Sequence, residues 1–112
     1  MSAQPYGMRS IEELIYQLEV KLTELRAASS ERRREIKLES DEIVNTLTSI
    51  DGSVATRVSL LSARGISPMV EKIRNGACQF KRIKLPALLI RDLKERGFAI
   101  CPECNRIAIL SQ

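Results

Sequence analysis

The chain has 112 residues, 44% of them hydrophobic but only 4% aromatic, with no Trp and no His. That length allows one modest domain, or a helical segment followed by a very small one, and the few aromatics favour helices packed through Leu, Ile and Val over a β-sandwich or a large enzyme core. The net charge of +4 is unevenly placed: residues 1–77 carry eleven Lys/Arg and eleven Asp/Glu, residues 78–112 seven against three, so the whole excess falls at the C-terminal end.

Residues 1–9 contain Pro5 and Gly7, show no period and read as a flexible tail. Ser10-Ile11-Glu12-Glu13 fits a capping box. From there Ile11, Ile15, Leu18, Leu22 and Leu25 step by four and three, a heptad seam with polar residues between. A lone helix of about four turns with one narrow apolar stripe is marginal in water and needs a partner. Ala27 to Ser30 and the polar run Glu31 to Glu35 interrupt the seam, and Arg32, Arg33 and Arg34 read as an exposed turn balanced by Glu31 and Glu35.

The stripe resumes at Ile36 and runs through Ile43, Leu47, Ile50, Val54, Val58 and Leu61, with the turn signal Asp51-Gly52 inside it and Ser53 placed to cap a new helix. Residues 10–64 therefore read as coiled-coil helices in one of three arrangements: a hairpin turning near 27–30, a hairpin turning near 51–52, or a long homodimeric coil from 11 to 63. Arg64-Gly65 and then Pro68 end the helical part.

Residues 65–112 read as a β/α/β knuckle module. Met69 to Ile73 alternates as a short strand, Asn75-Gly76 is a turn presenting Cys78, and Leu85-Pro86 opens a helix that points Leu88, Leu89 and Leu93 inward and closes at Gly97. Phe98 to Ile100 is a strand feeding Cys101-Pro102-Glu103-Cys104, and Arg106 to Leu110 is a last apolar strand. Two cysteines at i and i+3 let one tight turn aim both sulfurs at one metal, and two such turns close a tetrahedral site. Here the second turn is complete, residues 82–100 lie between the two, and the first turn is Cys78-x-x-Lys81.

No apolar run approaches the ~18 residues of a membrane span, and the N-terminus lacks the apolar core of a secretion signal. The expectation is a cytoplasmic protein without a membrane partner, in which spaced cysteines mean metal sooner than disulfide. A redox reading of Cys101 to Cys104 fits poorly, because a thioredoxin-like motif opens a helix and this one precedes a strand.

These residues resemble the bacterial coiled-coil proteins that end in a C4-type zinc ribbon. Gly76, Cys78, Leu85, Pro86, Gly97, Cys101, Pro102, Cys104, Arg106 and Ile107 stand at the places of that pattern, over about residues 54–110. The resemblance implies a mainly α chain with a small α+β zinc-ribbon module, adaptor or chaperone-like work, and relatives tied to flagellar and secretion systems, a sigma factor or RNA. The chain departs from the pattern at Lys81, which stands where the second cysteine belongs, and at Asn105, which replaces a glycine. Its coiled coil is also shorter than is usual in the family.

A protonated lysine has no lone pair for zinc. Cys78, Cys101 and Cys104 are thus the metal ligands to expect, with a water, a partner's residue or a neighbouring chain in the fourth place. The other reading has the three thiols packed as small apolar groups in a ribbon held by Leu85, Leu88, Leu93, Phe98 and Ile107. Without a positioned base, an enzyme is not expected.

Three functions stay open. The first is a non-enzymatic adaptor in which the coiled coil presents a degenerate ribbon to a protein partner. The second is a nucleic-acid-binding regulator that uses Lys81, Arg82, Lys84, Arg91, Lys94, Arg96 and Arg106. The third is an RNA-polymerase-binding coiled-coil regulator with Asp51 exposed at the tip of the coil.

Overall fold

A computed structural model of the chain describes residues 8–110, with side chains from Ile11 onward. The order is α1 (Met8–Ala27), α2 (Ser30–Ile50), α3 (Gly52–Ala63), β1 (Val70–Ile73), α4 (Ala87–Arg96), β2 (Ala99–Ile100) and β3 (Ile107–Leu110). The chain is mainly α with a small three-stranded sheet toward its C-terminus, and no described helix is long and apolar enough to cross a membrane. The expected tail lies outside the described residues except for Met8 and Arg9. These already belong to α1, so Ser10 sits within the helix and does not open it.

The heptad stripe of α1 is satisfied inside the chain. Ile11, Ile15 and Leu18 are buried against Leu47 of α2 and Val54, Ala55, Val58 and Leu61 of α3. The stripe spans three helices because the chain turns twice. At the first turn the Ser29 hydroxyl accepts the Arg32 N–H at 3.3 Å and caps α2. At the second, Asp51 alone is extended (φ −158°, ψ 112°), and its carboxylate caps α3 by accepting the Val54 N–H at 3.1 Å. Both expected turn sites are used, and the continuous coil from 11 to 63 is not formed. The cap of α3 is Asp51, while Ser53 lies within the helix. The C-terminal ends of α1 and α3 meet around Leu22, Leu25, Ser62 and Ile66, so these two helices run the same way and α2 runs back.

In the sheet, β3 lies between β1 and β2, parallel to β1 and antiparallel to β2. A parallel pair needs a long crossover, and here the crossover holds both cysteine turns and α4. The pairs Val70–Ile107 and Ile100–Ile107 put these residues on the face that packs on the helices, where Met69 joins them. The pairs Glu71–Ala108 and Ala99–Ala108 belong to the other face, which shares a second core with Ile73, Leu85, Leu93 and the three cysteines. One sheet thus separates two cores. Being covered on both sides, β3 reads as a continuous apolar run, with Ile107, Ala108 and Ile109 all buried.

α4 buries Leu93 and partly buries Leu89 and Ile90, whereas Leu88, expected inward, is 66% exposed. Gly97 ends this helix in the left-handed conformation (φ 91°), which costs glycine little.

A single carboxylate fastens α1 to the start of β1. Glu19 Oε2 accepts the Met69 N–H at 2.7 Å and the Ser67 hydroxyl at 3.4 Å. Hydrogen bonds to a charged group contribute about 1.5–3 kcal/mol each, less where water reaches them. Glu19→Ala is therefore expected to lower the unfolding free energy by about 1–2 kcal/mol in urea titrations, and Glu19→Gln, which keeps an acceptor, by less.

Candidate metal centre

The two cysteine turns share one backbone geometry. In each, the first cysteine's carbonyl accepts the N–H four residues on (Arg82 to Cys78 at 2.7 Å, Asn105 to Cys101 at 2.8 Å). In each, the same cysteine's N–H donates to the carbonyl five residues on (Cys78 to Ile83 and Cys101 to Arg106, both 2.9 Å). Both turns also need a left-handed residue at the fourth step, Arg82 (φ 58°) in one and Asn105 (φ 64°) in the other. Asn accepts that conformation readily; an arginine there carries a penalty of roughly 1–2 kcal/mol. The first turn keeps the shape of a metal knuckle although its second ligand is absent, and the Lys81 N–H still donates to Cys78 Sγ at 3.4 Å.

Lys81 itself is exposed. The fourth corner is filled by Glu71 of β1, a residue not anticipated from the sequence. One ligand atom from each of Glu71, Cys78, Cys101 and Cys104 lies within 4.8 Å of the others, all four residues are buried, and the four together can hold a metal ion. Tetrahedral bonds of about 2.3 Å separate ligand atoms by roughly 3.8 Å, so closure on an ion needs only a small contraction. The cluster includes the three sulfurs named from the sequence and replaces the open position with a carboxylate.

β1 alternates, so Glu71 and Ile73 share the face toward the cysteines while Lys72 is exposed. The residue paired with Glu71 on β3 is Ala108, whose small side chain leaves room beside the carboxylate. Glu71 is 1% exposed and is the one buried charged residue among those described. It has no cationic partner within 4.0 Å among the described residues. Instead, Cys104 Sγ donates to Oε1 at 3.2 Å and the Gln79 N–H donates to Oε2 at 2.6 Å.

Burial alone would push the Glu71 carboxyl up, but the three neighbouring thiols and the Gln79 N–H outweigh it and hold the carboxyl below its ordinary value. The thiols move the other way. Burial raises Cys101 and Cys104, and the neighbouring carboxylate adds to it, against N–H groups of Glu103 and Cys104 aimed at Cys101 and that of Arg106 aimed at Cys104. Without metal, these shifts favour protons on the Cys101 and Cys104 sulfurs and the charge on Glu71.

The seven cations singled out in the sequence divide in two. Arg96 pairs with Asp51 at 3.0 Å and lies 4.7 Å from the centre of the Phe98 ring. Arg106 lies 3.8 Å from the centre of the Phe80 ring and donates from Nε to the Pro68 carbonyl at 2.7 Å. Arg96 thus ties the module to the helices, and Arg106 braces the first knuckle against the segment before β1. Lys81, Arg82, Lys84, Arg91 and Lys94 are exposed and form no ion pair among the described residues. Asp51, occupied as a helix cap and paired to Arg96, is not a free acid at a coil tip.

Comparisons with protein-family models, with curated proteins and with solved structures find no match to this chain.

Replacing Arg82 by glycine removes the left-handed penalty, partly offset by glycine's greater freedom when unfolded. Arg82→Gly is expected to gain about 0.5–1 kcal/mol in urea titrations. In the presence of a chelator, stability should also depend on pH at both ends. The raised thiols contribute stability that is complete below the unfolded thiol value of about 8.5 and is lost as pH rises through the folded values. The lowered Glu71 contributes stability that is present above about 4.3 and is lost as pH falls through its folded value. Unfolding titrations from pH 4 to 10 should show a plateau between those limits.

Proposed function

We propose that the chain is a non-enzymatic adaptor, a shortened and diverged relative of the bacterial coiled-coil proteins with a C4-type zinc ribbon. In this reading a structural zinc ion held by Cys78, Cys101 and Cys104 stiffens the ribbon, and the helices carry it to a protein partner. Catalytic zinc keeps one position open to substrate; here the ligand groups are shut away from solvent, with Cys78 and Cys101 0% exposed.

One observation carries the docking role. The outer side of the first knuckle and the start of α4 expose Phe80 (45%), Ile83 (47%) and Leu88 (66%) beside the unpaired Lys81, Arg82 and Lys84. On the helices Lys21 and Arg32 share Glu24 and Glu39, and Arg32 also meets Glu35, while Arg33, Arg34 and Lys37 are exposed and form no ion pair among the described residues. Exposed apolar groups interleaved with cations along residues 80–88 suit an acidic, partly apolar protein surface.

The same cations support nucleic-acid binding as a second reading, with the Phe80 ring as a stacking surface. Ile83 and Leu88 have no π-face for a base, and they favour the protein.

The reading is tested by a photo-crosslinking amino acid placed at Ile83 or Leu88 in living cells, with Leu38 of α2, also 66% exposed, as the control position. The expected result is discrete protein adducts at 83 or 88, absent at 38 and weakened at least about tenfold by Lys81→Glu with Lys84→Glu. Nuclease-sensitive adducts would transfer the assignment to nucleic acid. Labelling no stronger than at Leu38 would remove the docking face.

A further inference from the structure

We infer that Glu71 is the fourth metal ligand, so that a carboxylate from β1 closes an S3O zinc site in which the ligand role has moved from position 81 to the sheet. The inference rests on the zinc reading above and adds the ligand, the coordination number and the element that supplies it.

Three observations converge. The first is the cost of the burial: a carboxylate taken out of water without a counter-charge costs several kcal/mol, and Glu71 has thiols and one N–H about it but no Lys or Arg among the described residues. A divalent ion bonded to the carboxylate gives it a cationic partner. With three thiolates the loaded site carries two net negative charges, the same as a four-thiolate site, and N–H groups such as that of Lys81 at Cys78 Sγ help to offset them. The second is the donor set. Three thiolates and a carboxylate are four anionic ligands of the kinds zinc takes, with the same total charge as four thiolates. The third is the support around the ligand: Gln79 N–H holds the carboxylate oxygen that Cys104 does not, leaving the oxygen nearest the sulfurs to face the metal.

Loading is proton-balanced. Three thiols release three protons to solvent as three metal–sulfur bonds form, the Cys104 hydrogen bond to Glu71 is given up, and the freed carboxylate oxygen takes the fourth bond.

The first knuckle keeps the backbone of a complete one, with Lys81 at the step that corresponds to Cys104. A cysteine restored at position 81 should therefore be able to take back the ligand role. This makes a swap experiment possible.

The metal-free, reduced full-length protein is titrated with Co2+ and read by visible and near-ultraviolet absorption, with Zn2+ affinity measured by competition. The parent protein is expected to show intense tetrahedral bands with three sulfur-to-cobalt charge-transfer contributions. Glu71→Ala should lose at least about 100-fold in affinity and shift those bands, whereas Lys81→Ala should change neither. The double variant Glu71→Ala with Lys81→Cys should regain tight binding with a four-sulfur spectrum, which also shows that position 71 tolerates substitution. If Co2+ binds the parent and both Glu71→Ala and Glu71→Gln keep its affinity and spectrum, Glu71 is not a ligand and only this inference falls. If the parent binds no Co2+, the zinc reading falls with it. The adaptor reading is tested separately by crosslinking.

Discussion

A carboxylate that is 1% exposed has to be paid for by its surroundings, and the C-terminal half of this fold is arranged around Glu71. The strand β1 carries it inward and Ala108 on the neighbouring strand makes room. Both cysteine turns deliver sulfurs to it, and Gln79 of the first turn gives it an N–H. The raised thiols of Cys101 and Cys104 keep their own protons beside it. The four donor groups thus lie together in one buried cluster that could hold a metal ion.

The sheet connects this site to the helices. Successive residues of β3 face alternate cores, Ile107 toward the helices and Ala108 toward the cysteines, and β1 follows the same alternation at Val70 and Glu71. The start of β1 is held by Glu19 of α1 through the Met69 N–H. The cysteine cluster is therefore joined to the helical core through two strands with no linker in between. Lys72 of β1 pairs with Glu12 of α1, and Arg96, reaching from the end of α4 to Asp51 between α2 and α3, adds a further tie between the halves. This is a compact joint, unlike a long coil that presents a ribbon at its end.

Much of this was legible in the residues, for reasons that are local. Stripes at heptad spacing, turn residues near 27–30 and 51–52, Gly97 after α4 and the paired cysteine turns each act through neighbours within a few positions, and Asn105 adopts the left-handed conformation its side chain tolerates. What the sequence left open was decided across the chain. Heptads do not say whether the partner helix is in the same molecule, and here two turns fold the stripe onto itself. Leu88 looked inward by composition, but the core side of α4 is set by Leu89, Ile90 and Leu93. Glu71 was missed because an acidic residue next to a lysine reads as surface. The signal was its period: two residues before Ile73, it had to share the inward face of β1.

The position of Lys81 follows from the same geometry. Within one knuckle the first cysteine faces in and the intervening residues face out, while the N–H at the fourth residue holds the sulfur whatever side chain it bears. Once a carboxylate from β1 occupies the inner corner, nothing requires a cysteine at position 81. A lysine there adds a cation beside Phe80 at no cost to the backbone of the turn. The first knuckle then performs two tasks with separate residues: Cys78 and the N–H groups serve the inner cluster, while Phe80, Lys81 and Ile83 form the outer face. With Glu71 in the inner corner the outer residues of the first knuckle take no part in the cluster, and the turn is held by its own backbone hydrogen bonds.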